Sequence, residues 1–392
     1  MSNQPVFLDH NSTTPLDPEV AGAMAQAQET AWGNPSSVHA AGRAAKKILE
    51  EARERAAAQL GCDPGELYFT SGGTESDNLA LKGSYFAYPR KPRRVLVSAI
   101  EHPAVLAAAA DLLSQGAEVT EIPATAGGVI TADALTTALG TAGAVVAAVM
   151  AANNETGTIQ PTRELADAAH ARGALFFSDA VQAIGKVPVD VRDWNVDMLA
   201  LTAHKFYGPR GIGALYVRRG LALAAQITGG SQERKRRGGT ENVVGAFGLA
   251  VALEKANRLL DSETRRLTEL SDYFIEALLE AVPDVHLHGD RAHRVANTVN
   301  LSFAGAEGEA VVVSLDLVGL CVASGSACAS GATEPSHVIL ALGVPPHRAA
   351  GAVRVSLGRT TTREDVERLL RELPPVVERL RALSPTYSAQ GA

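Results

Sequence analysis

The chain's 392 residues, 46% hydrophobic and 20% charged, suffice for a large buried core in two or three domains and exclude a disordered protein. A formal net charge of −7 argues against a general grip on nucleic acid or on an anionic membrane surface, and apolar runs such as residues 142–152 are too short to span a bilayer. Cys62, Cys321 and Cys328 form no CxxC pair and have no clustered histidines beside them, so neither a disulfide framework nor a metal site is expected. The first ten residues, MSNQPVFLDH, lack the basic start and apolar core of a signal peptide, and the expected location is cytoplasmic, where thiols stay reduced.

From about residue 60 to 220, short β-branched or apolar runs alternate with Ala-rich amphipathic segments. Residues 66–71, 93–99, 117–123, 144–150, 174–180, 197–203 and 213–219 read as strands, and residues 104–115 and 162–172 as helices. This alternation predicts an α/β fold with a mainly parallel seven-stranded sheet, which binds ligands at the carboxyl ends of its strands. A helical stretch follows over about 241–281. Beyond it, VANTVNLSF (295–303) and AVRVSLG (352–358) read as strands of a smaller α+β unit, closed by a charged helix over 362–383. The domain boundary is expected near residue 262, giving a large domain of residues 15–261 and a small one of residues 1–14 and 262–392. The last nine residues read as a loosely held tail.

Three segments fall at strand ends. ELYFTSGGTESDNLALKG (66–83) reads as strand, Gly-Gly turn and helix, with Thr74 and Asp77 spaced as a capping box. Backbone N–H groups at such a junction bind phosphate, although the same turn also serves purely structural ends. FFSDAVQAIGK (176–186) puts Asp179 just past a buried strand, where a carboxylate needs a salt bridge, a cap or a protonated ring nitrogen as partner. LALTAHKFYGPRGIGALYV (199–217) ends a strand at Thr202, His204 and Lys205. A lysine in an apolar site loses its proton readily, as a Schiff-base amine requires, whereas most lysines beside a turn are merely solvated.

Together, a phosphate cradle, a buried Asp and a strand-end Lys are the parts that hold pyridoxal 5'-phosphate. The lysine forms its imine, the acid keeps the pyridine nitrogen protonated, and the turn anchors the phosphate. The one basic run, ERKRRGG (233–239), reads as a solvated loop.

A wider set of segments now carries a resemblance: LDHNSTTP (8–15), GNPSSVH (33–39), TSGGTESDN (70–78), EHPAV (101–105) and NNETGTIQP (153–161), then SDAVQAIGK (178–186), TAHKFYGPRGIGALY (202–216), GGTEN (238–242), SGSACASGATEPSHV (324–338) and VRVSLGR (353–359). From about residue 6 to 385, in one register, they resemble the cysteine desulfurases of the class-V aminotransferase family. More narrowly, they resemble the branch with a long active-site cysteine loop, to which the nitrogenase-associated and housekeeping iron-sulfur-cluster enzymes belong. The resemblance implies the aspartate-aminotransferase-like fold of pyridoxal-phosphate enzymes (fold type I), assembled as a homodimer.

It also implies roles. Lys205 is similar to the imine-forming lysine, Asp179 to the partner of the pyridine nitrogen, and His102 to the imidazole over the ring. Asn154 and Gln182 resemble the side chains that bond the ring's phenolic oxygen or substrate groups near it. Gly73, Thr74, Thr202 and His204 match the phosphate site, with Thr240 reaching it from the neighbouring subunit. Arg354, with Asn34 nearby, resembles the clamp on the substrate carboxylate, which suits a guanidinium's bidentate geometry. Singly, His102 also reads as a cap, Asn154 as a turn residue and Arg354 as a salt-bridge partner.

ASGSACASGA (323–332) sets Cys328 among Ala, Ser and Gly alone, a composition that predicts a mobile surface loop over about 321–334. An exposed thiol there wants a functional reason. The resemblance supplies one: the Cys328 thiolate takes sulfur from L-cysteine as a persulfide and leaves alanine, so the loop must enter the site and carry sulfur out to an acceptor protein. Iron-sulfur scaffolds, tRNA thiolation and sulfur modification of DNA all draw on enzymes of this kind. Other expectations remain open beside it: an aminotransferase or selenocysteine lyase of the same fold, or a silent scaffold in a sulfur-transfer assembly. Cys321 reads as a buried small hydrophobe and Cys62 as a turn residue.

Overall fold

The computed structural model describes residues 5–325, 335–384 and 387, so Cys328 lies outside the described residues. The short strand β1 (Val6–Phe7) leads to two helices, α1 (Pro18–Thr30) and α2 (Ala40–Leu60). Asp17 caps α1 by accepting the Glu19 N–H at 2.9 Å, with Pro18 in the first turn, and α2 ends on Gly61 in the left-handed region (φ 71°). Next come β2 (Leu67–Thr70), α3 (Gly73–Ala87), β3 (Arg94–Ser98), α4 (Pro103–Ser114), β4 (Glu118–Ile122) and α5 (Ala132–Leu139). They are followed by β5 (Val146–Ala148), α6 (Thr162–Ala171), β6 (Leu175–Asp179), β7 (Met198–Thr202) and β8 (Gly213–Val217).

The seven strands β2 to β8 are those expected from the apolar runs, and they form one sheet in the order β2-β8-β7-β6-β5-β3-β4. Only β8 runs antiparallel to its neighbours. Strands covered by helices on both faces show no polar alternation, which is why LFF, LAL and VAA read as unbroken apolar runs. At the β8 start, a Cβ on Gly213 would stand 2.6 Å from the Leu201 carbonyl and 2.8 Å from Gly72, so glycine there lets the Gly72 turn close on the sheet.

Helix α7 (Val243–Ala281) passes through residue 262 without a break. Its first half packs Leu249, Leu253 and Ala256 into the core around the large sheet; its second half packs Leu267, Leu270 and Phe274 into another core. That second core is built on β9 (Val285–Leu287), β10 (Thr298–Phe303), β11 (Leu320–Cys321) and β12 (Ala352–Ser356). β10 lies between β9 and β12, antiparallel to both, and β11 pairs in parallel with β1. Leu8, just after β1, is buried in this second core with Leu369, Leu373 and Val377 of the final helix, Arg363–Leu383.

Three readings of the sequence are corrected. Cys321 is half-buried, because its two-residue strand lies beside β1 at an edge. The basic run is not simply solvated: Glu233 is 5% exposed and accepts both Arg53 guanidinium bonds at 2.8 Å, while Arg237 pairs with Glu75 at 2.9 Å. This anchor holds Glu233, Arg234 and Lys235 at φ 41°, 54° and 66°, an unusual left-handed run for residues with side chains. The capping box of Thr74 and Asp77 does not form, since α3 starts at Gly73 and its N-cap, Gly72, has no side chain to give. No helix among the described residues is long and apolar enough to cross a membrane.

Candidate active site

A cavity of about 250 Å³ opens at the carboxyl ends of β2, β3, β5, β6 and β7. It gathers ten of the expected residues: Gly73, Thr74, His102, Asn154, Asp179, Gln182, Thr202, His204, Lys205 and Arg354. Asn34 and Thr240 are exposed and do not line it; the Asn34 side chain accepts the Ser36 N–H at 2.9 Å. Asn11, Ser12, Asp77, Met150 and Val181 also line the cavity. The sequence reading named Asp77 only as a helix cap and did not single out the others, although Asn11, Ser12, Asp77 and Val181 stand inside segments that carried the resemblance.

Lys205 follows β7 in a short 3-10 turn, and its Nζ donates to the carbonyls of Asn11 at 2.6 Å and Ser12 at 2.7 Å. Asp179 is the last residue of β6, with Oδ1 accepting the Val181 N–H at 2.8 Å. Burial pushes its pKa up to about 6, while the nearby Lys205 pulls the other way. Asp77 lies behind it, 1% exposed, and Oδ1 has no hydrogen-bond partner among the described residues. Burial first, then the neighbouring Asp179 and Glu101 carboxyls, raise Asp77 well above the carboxylate range.

His102 caps α4: its Nδ1 accepts the Ala104 N–H at 3.1 Å, so the cap weighed as an alternative is real. An acceptor Nδ1 leaves the ring proton on Nε2. Burial lowers its pKa to about 4, helped by the charges of Lys205 and His337, so the imidazole is neutral at neutral pH. The preceding residue, Glu101, is fully buried and takes hydrogen bonds from Ser98 Oγ at 2.5 Å and Met150 N–H at 2.7 Å. Burial raises it to about 8 all the same.

Arg354 comes from β12 of the second sheet and reaches the cavity from the other core. Nη2 pairs with Asp9 at 2.7 Å and Nη1 donates to the Asn154 carbonyl at 3.0 Å. An adjoining recess of about 350 Å³ is lined by Thr13, Ser71, Gly72, Gly73, Thr74, Glu75, Thr202, His204, Arg210 and Gly211. It opens onto the N-terminus of α3, whose first N–H groups take no bond from an N-cap side chain. Such a terminus beside hydroxyls and an arginine is suited to phosphate.

The donor set fits pyridoxal phosphate. There is an uncapped helix start for the phosphate, a lysine amine within the cavity and a buried acid for a ring nitrogen. Asn154 Oδ1 is buried without a partner among the described residues, the kind of orphan that a bound ring substituent satisfies. Fold and cavity together place the chain in the aminotransferase architecture, with a lysine amine among the groups that line its cavity.

The family model described as aminotransferase class-V matches residues 6–369. A protein of Dictyoglomus turgidum named cysteine desulfurase IscS is 45% identical over 97% of this chain and 96% of its own length. Another of the same name, from Methanosarcina thermophila, is 45% identical over 98% of this chain and 94% of its own. A solved structure titled NifS-like protein superposes with a TM-score of 0.89 at 33% identity, covering 96% of this chain and all of that one. The chain belongs to the class-V aminotransferase family, in the group of its cysteine desulfurases.

Proposed function

We propose that the protein is a pyridoxal-phosphate-dependent cysteine desulfurase that converts L-cysteine to L-alanine and leaves the sulfur as a persulfide on Cys328. One cysteine and one Cys328 thiol give one alanine and one persulfide, so atoms balance without an added oxidant or reductant. The observation that carries this reading is the meeting of Lys205, Asp179, His102 and Arg354 around one cavity, although Arg354 comes from the other core. The similarity to relatives named cysteine desulfurase supports the same reaction.

In this reading Gly73, Thr74, Thr202 and His204 hold the cofactor's phosphate, Asp179 its ring nitrogen, and Asn154 and Gln182 its phenolic oxygen or substrate groups beside it. Lys205 would hold the bound cofactor through its amine, and the cofactor would supply an electron sink there. Arg354 orients the substrate carboxylate; the resemblance adds Asn34, which in this chain lies outside the cavity. Lys205 moves the substrate's Cα proton, and neutral His102, with its proton on Nε2, hands protons within the cavity. The Cys328 thiolate attacks the substrate sulfur and then offers it to an acceptor protein, an iron-sulfur scaffold or another thiolation partner.

The reading includes a homodimer, in which Thr240 of one subunit completes the phosphate site of the other. Residues 15–261 act as the cofactor-binding domain, and residues 1–14 with 262–392 as the small domain. A persulfide carrier needs a thiol kept reduced, a condition of the cytoplasm.

The test is to mix purified holoprotein with L-cysteine without added reductant, quantify alanine and map added sulfur by peptide mass spectrometry. Alanine with one extra sulfur atom on the Cys328 peptide is expected, and Cys328→Ala should bind cofactor and cysteine yet release almost no sulfur. Alanine formation at the wild-type rate by that variant would remove the persulfide mechanism in favour of a lyase.

A further inference from the structure

Asn11 stands where the chain leaves β1 and crosses from one core to the other, and it is 1% exposed. Its Nδ2 donates to the Asn154 carbonyl at 3.1 Å and to Thr298 Oγ1 at 2.8 Å. Its Oδ1 accepts from Lys186 Nζ and from Asn297 Nδ2, each at 3.0 Å. Two donors and two acceptor positions are the full capacity of an amide side chain, so none is left over. The backbone is engaged as well: the N–H donates to Ser356 Oγ at 3.0 Å, and the carbonyl accepts from Gln182 Nε2 at 2.9 Å and Lys205 Nζ at 2.6 Å.

These bonds sort by origin. Asn297, Thr298 and Ser356 belong to the second core's sheet and its approach; Asn154, Gln182, Lys186 and Lys205 belong to the large-sheet side. Two residues upstream, Asp9 pairs with Arg354, and one residue downstream, the Ser12 carbonyl receives Lys205 as well. The stretch from 9 to 12 thus touches both Arg354 and Lys205, which come from different cores.

Lys186 is a second, half-buried amine here, and among the described residues it forms no ion pair. It donates to Asn11 Oδ1 and to Gln182 Oε1, bridging the two side chains. Burial, with the charges of Lys205 and Arg354 near it, drives its amine well below the usual lysine range. With no carboxylate beside it, the amine is held by these two acceptors.

We propose that Asn11 is a positioning residue for the reaction: held by Lys186 on one side and Asn297 on the other, it fixes the peptide whose carbonyl receives the Lys205 amine, and so sets that amine relative to Arg354. This rests on the reading of Lys205 as the amine that carries the cofactor. A purely structural tie between the cores predicts a different outcome, a loss of stability with the amine's reactivity unchanged.

The experiment uses the full chain stripped of cofactor, to which pyridoxal phosphate is added while the visible band of the lysine-linked form is followed well below the melting temperature. Asn11→Ala, Lys186→Met and, as a control at the amino end of β7 opposite the cavity, Asp197→Asn, whose buried carboxylate pairs with His170 and Arg218, are compared with wild type. Asn11→Ala and Lys186→Met should each slow development of the band by about tenfold, the scale of one hydrogen bond lost where the Asn11 peptide is held, while Asp197→Asn links at the wild-type rate. Lys186→Met keeps the test open where Asn11→Ala fails to fold. Wild-type linkage rates in either folded variant overturn the inference. A wild-type protein that develops no band at all instead overturns the reading of Lys205, an outcome separate from the first.

Discussion

The Arg354 guanidinium and the Asp9 carboxylate form an ion pair of 2.7 Å in which the arginine side chain is 2% exposed. The pair neutralises a charge that would otherwise be costly at this depth, and the Nη1 bond to the Asn154 carbonyl fixes the plane of the guanidinium. In the proposed function, a substrate carboxylate would therefore meet an arginine already aligned. Arg354→Leu should weaken L-cysteine binding by roughly 100-fold, the scale of charge-assisted hydrogen bonds. Asp9→Asn keeps the shape and removes the competing charge, so binding should not weaken. The KM for L-cysteine checks both, and a wild-type KM in Arg354→Leu would remove the clamp.

Lys205→Ala should abolish the visible band of the purified protein in the presence of pyridoxal phosphate, with the far-ultraviolet circular dichroism of the wild type preserved. Removing the amine also leaves the Asn11 and Ser12 carbonyls short of a donor, a loss of about 1–3 kcal/mol in denaturant unfolding. An unchanged visible spectrum takes Lys205 out of the mechanism.

Arg53 and Glu233 are 3% and 2% exposed at the side chain, and their bidentate pair also holds the Leu67 carbonyl and the Phe69 N–H at the β2 strand. Glu233→Ala leaves the buried guanidinium only the partly exposed Glu50 at 3.3 Å and should cost about 3–5 kcal/mol in urea unfolding. The double change Arg53→Met with Glu233→Leu should recover much of that, since the uncompensated charge goes with it. A single-variant loss below about 1 kcal/mol, the range of exposed pairs, would contradict the anchoring role.

His288 is 4% exposed, and neither ring nitrogen has a hydrogen-bond partner among the described residues. Burial, then the charge of His286, lowers its pKa to about 4 from 6.5. The unfolded chain therefore binds a proton below pH 6.5 that the folded chain refuses until about pH 4. Its contribution to stability is whole above pH 6.5 and is lost as pH falls towards 4, by at most about 3 kcal/mol. His288→Leu should flatten the fall of melting temperature across this window, and a slope identical to wild type would refute the assignment to His288.

The unbroken apolar runs of β3, β5, β6 and β7 made the large sheet legible from the chain alone, because strands buried on both faces admit little else. Lys205, Asp179 and His102 were legible for a related reason: each follows or ends one of those strands, where an α/β sheet gathers its ligands. Local signals misled where a neighbour in space decided the outcome. Thr74 and Asp77 have capping-box spacing, yet Gly72 starts the helix and Asp77 faces the buried carboxyls. The charged run around Glu233 reads as solvent-exposed until Arg53, 180 residues earlier, is brought against it.

What the amino-acid order determined by itself was therefore the alternation of strand and helix and the strand-end positions of the groups that meet in the cavity, since both are written in short-range pattern and residue type. Only the tertiary structure decided that Asn11 supplies the carbonyl for Lys205, that Lys186 holds Asn11, and that Arg354 crosses from the second core to face them. Those relations are set by hydrogen bonds spanning up to 345 residues, and no local preference of the backbone encodes a partner at that distance.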